Sequence, residues 1–303
     1  MTDQFLGLPN VSADLADVLI LPVPHEKTVT YNQGTASAPA AILAASEQLE
    51  FYEEDKAWCP FKHLKLAVLP EIEQIEPVEA FHENLFTRVN ALKKEALFIA
   101  LGGEHSITPE MVFARMPDGG TVVQIDAHAD FRPTYHGSIY NHACPMHRLR
   151  EKGYQLIQVG IRSLHEKEAC AMENDIHIST WFDRALQRPE HWNDLMRQLS
   201  QLSGDVYFTI DLDGFDPGLI AGVGTPQPGG LSWHQGLDIL QALTDNSNIN
   251  LRGMDIVEMI PEASCVSDML AAKLVQKMVS YWGYARGMQL QPATGSQQDI
   301  DDE

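Results

Sequence analysis

The sequence predicts an α/β protein, a single three-layer α/β/α unit built on a sheet of eight mainly parallel strands. Three observations predict it. Short apolar runs of β type recur along the chain with helix-type stretches between them, the alternation that builds a doubly wound parallel sheet. Most of these runs are continuously apolar rather than alternating, as strands covered by helices on both faces are. No Pro-, Gly- or Ser-rich linker and no repeat of fixed period divides the chain.

Taken in order, the first strand is expected at Val18–Leu21, a Val-Leu-Ile-Leu run, followed by the helix-type stretch Pro39–Leu49. The second run is Leu64–Leu69, succeeded by the helix stretch Val78–Leu92. Leu97–Leu101 and Thr121–Ile125 come third and fourth, with Pro109–Arg115 between them and Pro145–Lys152 after. Leu156–Gly160 and Ile176–Ser179 flank the stretch Glu166–Met172. One long helix is expected over Asp183–Leu202, then a strand at Val206–Ile210 and a helix at Trp233–Thr244. Met254–Val257 is the last strand, and a final helix runs from about Ser267 to Tyr281. A folded unit over residues 1–288 accounts for all of these. From Gln289 the chain turns polar and loses periodicity, closing on Asp299-Ile300-Asp301-Asp302-Glu303; this acidic tail, 289–303, is expected to be disordered.

The 303 residues carry 21 Lys plus Arg against 42 Asp plus Glu, a net charge of −21. Such an excess excludes a nucleic-acid binder, which needs a basic face to displace counterions. It also argues against an anionic membrane surface, and it suits a cationic small substrate. The four cysteines, Cys59, Cys144, Cys170 and Cys265, form no CxxC pair. A structural zinc site and a disulfide framework are therefore not expected. Met1-Thr2-Asp3-Gln4-Phe5 has neither the basic nor the apolar region of a signal peptide. No apolar run reaches about 18 residues, the length that spans a bilayer, so the cytoplasm is the expected compartment.

Sites in open parallel sheets form at the carboxyl ends of strands. After the third run comes Gly102-Gly103-Glu104-His105-Ser106, and after the fourth Asp126-Ala127-His128-Ala129-Asp130. After Val206–Ile210 comes Asp211-Leu212-Asp213-Gly214-Phe215-Asp216-Pro217, and Glu258 follows the last strand. In extended chain, residues at i, i+2 and i+4 face one way, which groups Asp126, His128 and Asp130, and also Asp211 with Asp213. With His105 this converges four carboxylates and two imidazoles on one end of the sheet. Bare carboxylates so close resist ionising together. A pair of divalent cations resolves this, and an oxygen-rich donor set with some imidazole suits Mn²⁺. Each segment alone has an ordinary reading as a turn, a cap or a surface acid. All of them together, each at a strand end, do not.

These three motifs resemble the signatures of the ureohydrolase family, which includes arginases and agmatinases. The similarity extends to Tyr31-Asn32-Gln33-Gly34-Thr35, Ala38-Pro39, Val159-Gly160-Ile161-Arg162-Ser163 and Gly224-Thr225-Pro226-Gln227-Pro228-Gly229-Gly230-Leu231. The resemblance implies an arginase/deacetylase-type fold with a binuclear manganese centre, two Mn²⁺ per chain. Carried over by motif, His105, Asp126, Asp130 and Asp211 bind one metal; Asp126, His128, Asp211 and Asp213 bind the other. Asp126 and Asp211 then bridge, and two metals about 3.5–4 Å apart activate a shared water for attack on a guanidinium carbon. His142, in Tyr140-Asn141-His142-Ala143-Cys144, matches the family's proton-shuttling histidine, and Glu258 the acid that pairs with the substrate guanidinium.

The loop Phe131-Arg132-Pro133-Thr134-Tyr135-His136-Gly137 through His142 looks like that of bacterial and archaeal agmatinases, as does Ser163. The resemblance thus implies hydrolysis of agmatine to putrescine and urea. The terminal ammonium of such a substrate asks for an acid, and Glu166 and Glu168 are candidates, beside Asn141 and Ser163 as further substrate contacts. Rival substrates are guanidinobutyrate, aminopropylagmatine, guanidine, arginine and formiminoglutamate. Other classes are a mononuclear zinc deacetylase-like enzyme and a catalytically silent metal-binding homologue, neither favoured by the full ligand set. Three places depart from the agmatinase pattern: Ile220-Ala221-Gly222, Met259-Ile260-Pro261-Glu262, and His25 in place of a tyrosine. The family resemblance also implies a homo-oligomer, a trimer or hexamer.

Overall fold

In the computed structural model of the chain, residues 3–293 are described; Met1, Thr2 and the tail segment 294–303 lie outside the described residues. The strands are β1 (Val18–Val23), β2 (Leu66–Val68), β3 (Leu97–Gly102), β4 (Thr121–Ile125), β5 (Gln155–Ile161), β6 (Ile178–Phe182), β7 (Gly204–Asp211) and β8 (Ile249–Val257). The helices are α1 (Ala38–Ser46), α2 (Val78–Asn90), α3 (Thr108–Arg115), α4 (Pro145–Glu151), α5 (Glu166–Glu173), α6 (Asp183–Leu186), α7 (Pro189–Ser200), α8 (Trp233–Asp245) and α9 (Val266–Ala285). The eight strands form one sheet in the order β2-β1-β3-β8-β7-β4-β5-β6. Every pairing is parallel.

The continuous apolar strands serve two cores at once. Successive side chains of a strand face opposite ways, so Ile99 and Leu101 of β3 join one apolar cluster while Phe98 and Ala100 join the other. Helices α1, α8 and α9 close the first face; α2, α3 and α4 close the second. Each large aliphatic chain so buried contributes about 1.5–3 kcal/mol.

Three differences from the sequence expectation have a physical cause in the chain. The long helix foreseen over Asp183–Leu202 is two helices, α6 and α7, broken at Arg188–Pro189. Proline lacks the N–H that continues a helix and holds its predecessor extended; Arg188 sits at φ −100°, ψ 128°. Strand β6 begins at Ile178, two residues later than expected, because Asp175 accepts the His177 N–H in a turn that leaves Ile176 exposed. Strand β8 starts five residues earlier than Met254; there Asn250 and Arg252 alternate with buried Ile249 and Leu251, so the apolar run is masked. Of the expected tail 289–303, Gln289 and Leu290 belong to a single 3-10 turn, Met288–Leu290, against the end of α9.

What this topology delivers to function is adjacency. The chain places β3 beside β1, crosses to β4, β5 and β6, and returns to fill the gap with β7 and β8. The four strands whose ends carry the motifs therefore lie side by side as β3-β8-β7-β4.

Candidate active site

Strand β3 ends at Gly102, and the next residue must be glycine for space: a Cβ on Gly103 would lie 1.9 Å from the His25 carbonyl oxygen. A 3-10 turn, His105–Ile107, then leads into α3 and turns His105 across the sheet end. The His105 ring is fully buried, with Nε2 2.9 Å from Thr209 Oγ1. The Thr209 hydroxyl spends its proton on Asp255 Oδ1 at 2.5 Å, so it accepts from His105 Nε2–H. That leaves Nδ1, 3.2 Å from Asp126 Oδ2, 3.1 Å from Asp130 Oδ2 and 3.6 Å from Asp211 Oδ2.

The second motif leaves the strand before its first acid, since β4 ends at Ile125. Simple alternation does not hold: Asp130 takes a left-handed backbone, φ 48°, which swings its carboxylate to the His105 side. Asp126 Oδ1 accepts the His128 N–H at 2.6 Å, and His128 Nδ1 lies 2.9 Å from Asp213 Oδ2. Asp211 and Asp213 are also joined by a turn rather than by alternation. Asp211 caps the 3-10 turn Leu212–Gly214, its Oδ1 accepting the Asp213 N–H at 2.8 Å. Gly214 makes room for β4, since a Cβ there would lie 2.7 Å from Asp126 N. Glu258 too is left-handed, φ 64°. Such conformations cost about 1–3 kcal/mol each and cluster at functional sites.

Two donor groups result: His105, Asp126 and Asp130, and Asp126, His128 and Asp213, with the donor atoms of each group within 4.8 Å of one another. Asp126 belongs to both, and Asp211 adjoins the first through His105. The electrostatics call for cations. Burial and the neighbouring Asp213 and Asp126 push Asp211 well up, and burial with Asp126 pushes Asp130 to about 7. Burial disfavours a charged His128, yet its carboxylate partners Asp126 and Asp213 raise it to about 12. The decisive observation is His105 Nδ1, buried with no hydrogen-bond partner. With its Nε2 proton committed to Thr209, Nδ1 faces three carboxyl groups; burial disfavours a charged His105, yet Asp126, Asp130 and Asp211 hold the ring well above its ordinary value, so the site attracts positive charge at Nδ1. A divalent cation in place of that proton satisfies imidazole and carboxylates together, and the oxygen-imidazole donor set fits a hard-to-borderline divalent metal.

A cavity of about 280 Å³ opens over the cluster, lined also by His142, Glu258 and Ser163. Glu258 ties two strand ends together: its Oε1 accepts the His105 N–H at 2.7 Å and its own N–H donates to the Gly103 carbonyl at 2.8 Å. Burial, with Glu104 nearby, pushes its carboxyl well up. Burial pushes the His142 imidazole down, against the raising influence of Glu104. Ser163 is held by its N–H on the Ala127 carbonyl, 2.9 Å. The far wall is Arg132, Tyr135, His165 and Glu168, with the Arg132 guanidinium 4.4 Å above the Tyr135 ring. Arg132, His165 and Glu168 also line an adjoining cavity of about 480 Å³.

The geometry separates the four candidate substrate contacts. Ser163 and Glu168 reach the cavity; Asn141 and Glu166 do not. Asn141 is buried, its side chain accepting the Ala143 N–H at 3.1 Å in a turn that shapes the His142 loop. Glu166 opens α5 on the exposed side, where an acid complements the helix dipole. Glu168 is no exposed helix-start acid but is buried, with Oε2 accepting the His165 N–H and Oε1 the Phe131 N–H. The two departing segments pair with each other, Ile260 N–H donating to the Gly222 carbonyl at 2.7 Å, and neither lines the cavity. His25 is buried against Phe81, ring centroids 3.9 Å apart.

Several supporting residues escape the sequence reading. One register row crosses five strands: Asp255 of β8, Thr209 of β7, Gln124 of β4, Gln158 of β5 and Thr180 of β6. Its members are linked beneath the site. Gln124 donates to Asp126 Oδ2 at 2.6 Å, Gln158 donates to Gln124 at 2.7 Å, and Thr209 carries the bond from His105 to Asp255. The available signal is a polar residue inside four of the apolar runs: Gln124, Gln158, Thr209 and Asp255.

The chain is similar to known proteins along most of its length. The arginase family model matches residues 16–280. An N(1)-aminopropylagmatine ureohydrolase of Synechocystis sp. is 34% identical over 299 residues, covering 95% of this chain and 96% of the relative. An agmatinase of Pyrococcus horikoshii is 33% identical over 257 residues, covering 84% of this chain and 87% of the relative. The agmatine ureohydrolase structure of Thermoplasma volcanium superposes with a TM-score of 0.80 at 29% identity, covering 91% and 94% of the two chains.

Proposed function

The chain belongs to the arginase family, hydrolases of guanidino compounds, and on that premise we propose that it cleaves the guanidinium of agmatine, releasing urea and putrescine, with two Mn²⁺ per chain. The reading rests on one observation: Asp130 of the first donor group and His128 and Asp213 of the second line one cavity together with Asp211, His142 and Glu258. His105, Asp126, Asp130 and Asp211 would hold one metal and Asp126, His128, Asp211 and Asp213 the other. When bound, such a pair supplies Lewis acidity and makes water nucleophilic at neutral pH.

The remaining work falls to side chains. The Glu258 carboxylate accepts guanidinium N–H groups, and the approach of that cation draws the carboxyl back to its ionised form. Hydrolysis adds the oxygen of water to the guanidinium carbon, breaks the bond to the alkylated nitrogen and returns a proton to that nitrogen. His142 is held neutral by burial at pH 7, so it is ready to take a proton from the attacking water and pass it to the leaving amine. Ser163 and Glu168 face the alkyl-ammonium end.

A second reading, the N-aminopropyl derivative of agmatine, is favoured by the adjoining cavity, which continues from the far wall past Glu168. The relative named for that substrate supports it as well. Urea release by Mn²⁺-loaded enzyme on agmatine, aminopropylagmatine, guanidinobutyrate, arginine and guanidine decides. Highest kcat/KM on agmatine is the expected result. Preference for the aminopropyl compound moves the assignment to the second reading, and no urea from any of the five refutes both.

A further inference from the structure

One polar chain near the cavity is not consumed by the binding of metal or substrate. Thr28 lies in the connection after β1, and its hydroxyl oxygen is 3.0 Å from His142 Nδ1. The same oxygen accepts the His142 backbone N–H at 3.0 Å, so loop and ring are pinned at one atom. The hydroxyl proton goes elsewhere: Thr28 donates to Glu104 Oε1 at 2.9 Å. Glu104 is fully buried and is itself fixed. Its Oε2 accepts the N–H groups of Lys27 and Thr28, both at 2.7 Å, and its Oε1 also accepts the Ser106 hydroxyl at 2.6 Å. Four donors converge on this carboxylate, and all four are supplied by the chain.

We propose that Thr28 is a positioning residue for His142, fixing its tautomer through Glu104. A hydroxyl has one proton to give. With that proton on Glu104, Thr28 meets Nδ1 as an acceptor, so Nδ1 carries the ring proton. Nε2 is then the bare nitrogen, on the edge of the ring away from Thr28, and it alone accepts a proton from the reacting centre. A base oriented by a neighbour that is oriented in turn by a buried carboxylate follows the general logic of a positioned acid–base pair. The opposite tautomer would offer the reacting atoms an N–H and no lone pair.

The inference rests on the role proposed for His142, and the experiment separates the two. Thr28→Val keeps shape and removes the acceptor; Thr28→Ser keeps the hydroxyl. With both metals bound, kcat of Thr28→Val on the preferred substrate is expected to fall about 100-fold, the lower end of what a positioned proton-transfer group is worth. KM is expected to hold, and Thr28→Ser to recover most of the rate. Wild-type kcat in Thr28→Val, or equal impairment in Thr28→Ser, overturns the inference. If His142→Ala keeps wild-type turnover, the role of His142 itself falls; if only His142→Ala is impaired, the Thr28 assignment alone falls. A readout free of activity and of the Thr28 variants is the ¹⁵N spectrum of ring-labelled histidine in the diamagnetic Zn²⁺-loaded enzyme, with the His142 signals assigned by their loss in His142→Ala. A protonated Nδ1 and bare Nε2 are expected; the reverse pattern overturns the proposal even should Thr28→Val not fold.

Discussion

Replacing Thr209 with valine tests the polar support of the cluster without touching a donor. Thr209 Oγ1 accepts from His105 Nε2 at 2.9 Å and donates to Asp255 at 2.5 Å, so one substitution cuts both bonds. Valine matches threonine in shape and favours a buried strand, so β7 is expected to keep its register. The loss is chemical. Supporting bonds of this kind are worth about 10- to 100-fold in metal affinity, or about 1.4–2.7 kcal/mol. The cost of leaving a buried N–H unpaired, about 1–3 kcal/mol, agrees. Chelator-stripped protein titrated with Mn²⁺ by calorimetry is the assay. One of two binding events is expected to weaken by that factor while the other changes little, since His105 serves only one donor group. At a free metal concentration of about 100 times the wild-type Kd, metal stabilisation is about 2.7 kcal/mol; in the variant it falls to about 0.4–1.4 kcal/mol. Two binding events of wild-type strength in Thr209→Val would refute the argument that His105 is held through Nε2 to present Nδ1.

Two further outcomes are expected. His128→Asn removes an imidazole that sits 2.9 Å from Asp213 and is expected to lower metal stoichiometry from two to one and to abolish most activity; unchanged turnover would remove His128 from the site. Far from the site, Lys277 is buried in α9, bonded to Glu53 and Asp55 at 2.6 Å and to Glu54 at 2.7 Å. Lys277→Met strands the buried Glu53, a loss of about 3–5 kcal/mol in chemical denaturation at pH 7. Lys277 holds Asp55 below its ordinary value, and also Glu54, against a smaller opposing pull from burial at Asp55 and a larger one at Glu54. Depressed carboxylates contribute stability above their unfolded pKa and lose it as pH falls through the folded value. The gap between wild type and variant should therefore be full at pH 6–8 and narrow below about pH 4; a gap that widens in acid would contradict the assignment.

How far the sequence reached depended on whether a residue's partners are near in the chain. Asp126, His128 and Asp130 stand out because acids and imidazole interrupt apolar surroundings at a strand end. The strand-end rule located them even though turns, not strand alternation, bring them together. Thr209 and Asp255 were not legible, because their meaning lies in register, with Thr209 of β7 opposite Asp255 of β8 across 46 residues of chain. Thr28 and Glu104 escape for the same reason, separated by 76 residues yet sharing a proton. Glu168 was legible only in part. The spacing His165-x-x-Glu168 is that of a capping box, which the structure contains, and a glutamate in that motif reaches back toward its own helix rather than outward. At Arg188–Pro189 the helix break was written in the sequence, and the apolar periodicity on either side concealed it.

Glu258 holds the His105 amide through its side chain and the Gly103 carbonyl through its backbone, so the ends of β8 and β3 share one clasp. The distance between the acid that would grip a guanidinium and His105 is thus fixed by two bonds at adjacent strand ends. The opposite wall hangs on other bonds: Glu168 accepts the Phe131 and His165 N–H groups and lies 3.8 Å from the Arg132 guanidinium. A chain so built can change its far wall while the clasp between β8 and β3 stays in place, so the two ends of the cavity answer to different parts of the chain.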